Sequence, residues 1–229
     1  MEYEYVTRAE YQPVRGELET IIHRAQKYMR EKYKTTFQYH LIGSGKRHLI
    51  TRSKGGNEGY DFDYNLILPT LDERYCYKAK VVKEQFLEAF RFAVKGTNYK
   101  APEDSTSVLT IKVVDHTQGR ILHSCDFAII YYRTEDVDDG YMYLMNWKNG
   151  TYSFEKRDLS HKADYKLYAI LENSDGWKYI REEYLKLKNS NRDPDKHSYI
   201  LYLEAINNVY NLIGLRKGES NEQRTRSIK

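Results

Sequence analysis

Apolar residues recur at helical spacing in two long stretches of this chain and follow strand-like patterns in much of what lies between. Leu18, Ile21, Ile22, Ala25 and Met29 mark one face of a helix over about 15–34. Val82, Phe86, Ala89, Phe90 and Ala93 mark a second over about 78–96, which Gly96 ends. Between them lie a strand at about 36–42 and a run rich in Tyr, Phe, Leu and Ile from Tyr60 to Leu68, closed by Pro69. Val108–Val114 and Ile121–Tyr132, separated by Asp115-His116-Thr117-Gln118-Gly119-Arg120, predict a hairpin. Tyr141–Trp147 and Thr151–Phe154 predict another around Lys148-Asn149-Gly150. Beyond these the chain reads as helix, over about 162–172, 176–189 (started by Ser174-Asp175) and 198–213. The polar tail from Arg216 to Lys229 is expected to be disordered and basic. The order predicts an α+β fold: a small mixed β-sheet with flanking helices, followed by a helical C-terminal part, divided as 1–158, 159–215 and 216–229.

The strand from Tyr60 carries the first chemical signal. Side chains two apart on a strand share a face, so Asp61 and Asp63 point the same way. Their mutual repulsion is relieved by a divalent cation, and hard carboxylate oxygens suit Mg²⁺ or Mn²⁺. A third acid, Asp126, lies inside the apolar run Cys125–Tyr132, where a charge needs a partner. If the two strands are neighbours, all three acids reach one or two ions. Upstream, Gly43-Ser44-Gly45-Lys46 offers backbone N–H groups, a hydroxyl and an ammonium, a place for phosphate oxygens. It is not a Walker A loop, because G-x-x-x-x-G-K-[ST] is absent. The plain alternatives are a solvent-facing edge strand for the acid pair and an ordinary small-residue turn for Gly43-Ser44.

Composition narrows the field. At 229 residues, 40% hydrophobic and 31% charged, the chain has the make-up of a globular protein rather than a disordered one. A net charge of +4 favours anionic ligands mildly and falls short of a dedicated nucleic-acid coat. Nucleic-acid binding would rest only on the tail and on the 23 tyrosines. Cys76 and Cys125 have no C-x-x-C spacing, which excludes a disulfide framework and a thiolate zinc site; Cys125 is expected buried and reduced, in keeping with a cytoplasmic setting. No basic segment precedes an apolar run at the N-terminus and nowhere do 18 apolar residues follow one another, so neither export nor membrane insertion is expected. The histidines show no ligand spacing, and His123, an odd number of positions from Asp126, is expected in the core. No G-x-S-x-G elbow supports acyl transfer.

Gly43-Ser44, then Asp61-x-Asp63 in a strand, then a lone Asp126 in a later strand resembles the nucleotidyltransferase superfamily of the DNA polymerase β type. Gly-Ser-Gly-Lys ahead of the D-x-D strand is most similar to its oligoadenylate synthetase and cyclic GMP–AMP synthase-like branch, over roughly residues 15–135. The resemblance implies transfer of a nucleoside monophosphate from a triphosphate, ATP foremost, to a hydroxyl acceptor. Asp61, Asp63 and Asp126 would bind Mg²⁺ or Mn²⁺; Gly43, Ser44 and Lys46 would hold the triphosphate. Lys162 or Lys166, by position, would reach a phosphate. The sequence departs from the pattern in the sixteen residues between Ser44 and Asp61, which include the insert Ser53–Gly59. A non-catalytic nucleotide-binding module with the same fold is the alternative reading. The acceptor is left open: a nucleotide, an RNA end, a protein or a small molecule.

Overall fold

Thr7 starts the first helix earlier than the apolar spacing alone indicates. In the computed structural model, α1 spans Arg8–Tyr33. The Thr7 side chain accepts the Glu10 N–H while the Glu10 carboxylate accepts the Thr7 N–H, so a capping box fixes the start and Pro13 is carried inside. Pro13 removes one backbone bond, and Leu18, Ile22, Ala25 and Met29, each fully buried, offset that loss. The structure describes residues 2–57, 59–70, 76–134, 140–158 and 163–226.

The remaining elements run as strands and helices to β9 and then as helices alone. β1 (Tyr3–Tyr5) precedes α1, which leads to β2 (Gln38–Ile42), the single helical turn α2 (Gly43–Lys46), β3 (Thr51–Ser53) and β4 (Tyr60–Ile67). Then come α3 (Ala79–Ala93), β5 (Glu103–Asp104), β6 (Leu109–Asp115), β7 (Arg120–Tyr131), β8 (Tyr141–Asn146) and β9 (Tyr152–Arg157). The helices α4 (Asp164–Leu171), α5 (Gly176–Ser190) and α6 (Ser198–Arg226) follow. The order is the α+β arrangement expected, with both predicted hairpins in place as β6–β7 and β8–β9.

A seven-stranded sheet runs β2-β4-β7-β6-β5, with β8 on β7 and β9 on β8, while β1 and β3 form a separate two-stranded sheet. The main sheet is mixed: β4 and β7 are parallel and its other pairs are antiparallel. Phe62, Tyr64 and Leu66 of β4 and Cys125, Phe127 and Ile129 of β7 alternate onto one buried face, which packs with residues of α1 and α3 in a single core. The Phe90 and Phe127 rings lie 4.4 Å apart between α3 and the sheet. Lys83 is also buried there, with its ammonium donating to the Val108 carbonyl at 3.1 Å and facing Asp104 at 3.1 Å, which ties α3 to the β5 edge. Cys125 is a buried free thiol, as expected.

Two compact units emerge, Glu4–Leu159 and Met1–Tyr3 with Ser160–Lys229. In the second, Ile180, Tyr184, Leu201, Ala205, Ile206 and Val209 bury the helix faces. The Tyr3 backbone joins this unit through Asn189, whose amide accepts the Tyr3 N–H at 2.6 Å and donates to the Tyr3 carbonyl at 3.2 Å. α6 continues past the expected end near 213, through residues 216–226 of the segment expected to be disordered. That stretch holds Arg, Lys, Glu and Gln and no proline, so nothing in it forbids helix.

Candidate functional site

The site begins where β2 ends. Ile42 pairs with Asp63, so the chain leaves the sheet at Gly43 directly beside that carboxylate. Gly43 has φ +60, a left-handed conformation that L side chains adopt only with strain. A β-carbon at Gly43 would also fall onto the Asp63 carboxylate. Two independent demands therefore fix glycine here. The next residues close one helical turn: the Leu49 N–H donates to the Ser44 carbonyl at 2.9 Å and Arg47 Nη1 donates to the Gly43 carbonyl at 3.0 Å. Ser44 is half-buried and Lys46 is exposed.

The acids assemble by strand register. Because β4 and β7 are parallel neighbours, Asp63 stands beside Asp126 and Asp61 beside Ser124, all on the face opposite the core. Strands in a sheet are about 4.8 Å apart, which sets the scale of the carboxylate spacing. Burial, then the charges of Asp126 and Asp61, push the Asp63 carboxyl up to about 6, against the pull of Arg47. Burial also raises Asp126, opposed by the hydrogen bond from Thr110. Thr110 Oγ1 donates to Asp126 Oδ1 at 2.6 Å, and Ser124 Oγ donates to Asp61 Oδ1.

Among the described residues no three His, Cys, Asp or Glu side chains draw their donor atoms close enough to share one ion. Each outer acid is hydrogen-bonded to a hydroxyl instead, Asp126 to Thr110 and Asp61 to Ser124. Three carboxylates on one face, with the central one already short of compensating charge, have the donor chemistry of a Mg²⁺ or Mn²⁺ site.

Sequence reading did not find Thr110 or Ser124. Ser124 carried a usable signal, two positions from Asp126 and so on the same face. Thr110 carried none without the register that sets it opposite Asp126.

The insert before Asp61 is fastened to the sheet. The Ile121 N–H donates to the Asn57 carbonyl at 2.9 Å, and a β-carbon at Gly59 would collide with the Leu122 carbonyl. His123 faces the core as expected, its Nε2 2.9 Å from the Tyr99 hydroxyl, and burial holds its imidazole down to about 4. Lys166 lies on α4, its ammonium on Asn207 Oδ1 at 2.5 Å and over the rings of Tyr165 and Tyr210. Lys162 lies outside the described residues.

No protein-family profile matches the sequence, and no curated protein matches it significantly by sequence. Solved structures do match in fold, and all three below are nucleotide cyclases or synthases by their descriptions. The Vibrio cholerae di-nucleotide cyclase DncV, a mutant in complex with ATP and GTP, is 10% identical with a TM-score of 0.62 over 89% of this chain and 69% of its own. DncV bound to the linear intermediate pppA(3′,5′)pG gives 0.61 at 10% identity over 89% and 68%. The STING-associated CdnE c-di-GMP synthase from Capnocytophaga granulosa gives 0.58 at 16% identity over 96% and 69%. The fold of this chain is thus that of the bacterial cyclic GMP–AMP synthase-like nucleotidyltransferases. No helix among the described residues is long and apolar enough to cross a membrane.

Proposed function

We propose that this chain is a metal-dependent nucleotidyltransferase that moves a nucleoside monophosphate from a nucleoside triphosphate, ATP foremost, to a hydroxyl acceptor and releases pyrophosphate. One observation carries the reading: the Gly43 turn, Asp63 and Asp126 stand side by side across three neighbouring strands, with Asp61 on the same face. In this reading residues 1–158 form the transferase core, 159–215 its helical companion and 216–229 a tail.

Asp61, Asp63 and Asp126 would hold Mg²⁺ or Mn²⁺, which when bound supplies positive charge to the triphosphate and lowers the pKa of the attacking hydroxyl. The protein's own part is positioning. Asp63 is kept in the middle by the sheet and by the space that Gly43 leaves open. Ser44 Oγ and the backbone N–H groups of the turn would orient phosphate oxygens, and Lys46 would add a cation at the solvent side. Thr110 and Ser124 donate hydrogen bonds to the outer carboxylates and would orient them.

The test is incubation of the chain with α-labelled ATP, GTP, CTP and UTP and Mg²⁺ or Mn²⁺, following pyrophosphate and labelled product. Release that disappears in the Asp61→Ala, Asp63→Ala double variant is the expected result; undiminished release in that variant would overturn the reading. The hydroxyl-turned outer acids are the one observation that favours a non-catalytic nucleotide-binding module, and saturable triphosphate binding with no pyrophosphate would select it.

A further inference from the structure

A concavity lies within the helical unit, and its lining is basic. The loop from α5 to α6 bends beside Tyr3 around a cavity of about 480 Å³, a volume in the range of small-molecule sites. Lys188, Arg192, Lys196 and His197 line it against a single lining carboxylate, Asp193. That carboxylate is used by its own loop, where Asp193 Oδ1 accepts the Asp195 N–H at 2.9 Å. Lys188, Arg192 and Lys196 bring positive charge to one concavity, and an anion suits the part of it that Asp193 and Glu204 leave uncompensated.

The cations are not equivalent. Lys196 pairs with Glu204 at 2.5 Å. Lys188 donates to Ser198 Oγ at 3.1 Å and stands over the Tyr3 ring at 4.4 Å. Among the described residues, Arg192 bonds to the main-chain carbonyls of Asn189 and Asn191, at 3.4 and 3.5 Å. Those distances are at the long limit of a hydrogen bond, so most of its planar donor fork is uncommitted. A phosphomonoester answers this arrangement better than a carboxylate. It carries a charge of about −1.5 to −2 at neutral pH with three acceptor oxygens, enough for a forked guanidinium and an ammonium together. Pro194 and Leu201 supply an apolar wall for the body that the phosphate is attached to.

We propose that this cavity binds a small phosphorylated ligand of sugar-phosphate size, with Arg192 and Lys188 on its phosphoryl group. The proposal is independent of the transferase reading, since it uses no residue of the sheet.

The experiment is calorimetric titration of the full chain with ribose 5-phosphate at about 0.1 M salt, without divalent metal. Saturable binding tighter than about 1 mM is expected. Arg192→Gln should weaken it about tenfold or more and Arg192→Lys less, because a charge without the fork keeps only part of the interaction. Lys188→Gln should weaken it too, and the unligated melting temperature of Arg192→Gln should stay unchanged because that side chain is exposed. Lys46→Ala should leave binding intact. The proposal is overturned by the absence of saturable binding, by equal affinity for ribose 5-phosphate and ribose, or by binding that survives Arg192→Gln and is lost in Lys46→Ala.

Discussion

The two faces of the β4–β7 pair are made from the same two segments of chain and follow opposite rules. On the inner face, Phe62, Tyr64, Cys125 and Phe127 are fully buried and matched to the helices above them. On the outer face, exposed Asp61 and half-buried Asp63 and Asp126 crowd like charges together. The inner face stabilises the fold. The outer face costs stability, and under the proposed function a positive ligand would offset that cost.

The largest effect should come from the outer face. Asp63→Asn is expected to lower the rate of nucleotide transfer by roughly a thousandfold or more, read by pyrophosphate release, because the central ligand loses its charge. The same variant should be more stable than the parent without metal. Asp63 has a folded value of about 6 against the usual 3.8, so it is a liability above that range and none below 3.8. Urea unfolding at about pH 8 should show a gain on the order of 1–2 kcal/mol. A variant that lost both activity and stability would collapse the contrast between the faces.

Phe127→Ala tests the other side of the same strand. Its ring packs on Phe90 and is fully buried, so denaturant unfolding should show a loss of about 3–4 kcal/mol. Activity per folded molecule should change far less than in Asp63→Asn. His123 gives the inner face a pH dependence. Its depressed imidazole contributes stability that is present above the unfolded value of 6.5 and lost as pH falls toward about 4. Up to about 3 kcal/mol should disappear across that window, and His123→Phe should flatten the slope; a slope unmoved by the substitution would assign the acid sensitivity elsewhere. The smallest effect expected is that of Gly43→Ala. Strain at φ +60 should cost about 1–2 kcal/mol in unfolding. The added methyl should also displace Asp63 and raise the metal concentration needed for half-maximal rate.

How much of this was legible follows from the same contrast. Alternation along Tyr60–Ile67 and Arg120–Tyr131 is a local property, so the shared face of Asp61 and Asp63 and the inward turn of His123 could be read from spacing alone. Register is not local. Nothing within 61–126 states that Asp63 meets Asp126 rather than Ser124, or that Thr110 lies opposite Asp126, because those matches depend on strands brought together through α3. The start of α1 failed for a different reason: the Thr7–Glu10 capping box begins the helix at Arg8, seven residues ahead of the expected start at 15, in a stretch whose apolar spacing is weak and which contains Pro13. The basic cavity went unread because most of its members, from Asn191 to His197, sit in a polar loop with no periodic pattern to mark a face.

The bond from Ile121 to the Asn57 carbonyl has a consequence for how such a chain can change over generations. It fastens the last residues before β4 to the first residues of β7, and so keys the numbering of one acid strand to the other. Residues gained or lost between Ser53 and Gly56 would leave that anchor where it is. A single residue gained or lost between Asn57 and Asp61 would slide β4 by one step and turn its carboxylates into the core. Length variation in this loop should therefore be tolerated on one side of Asn57 and purged on the other.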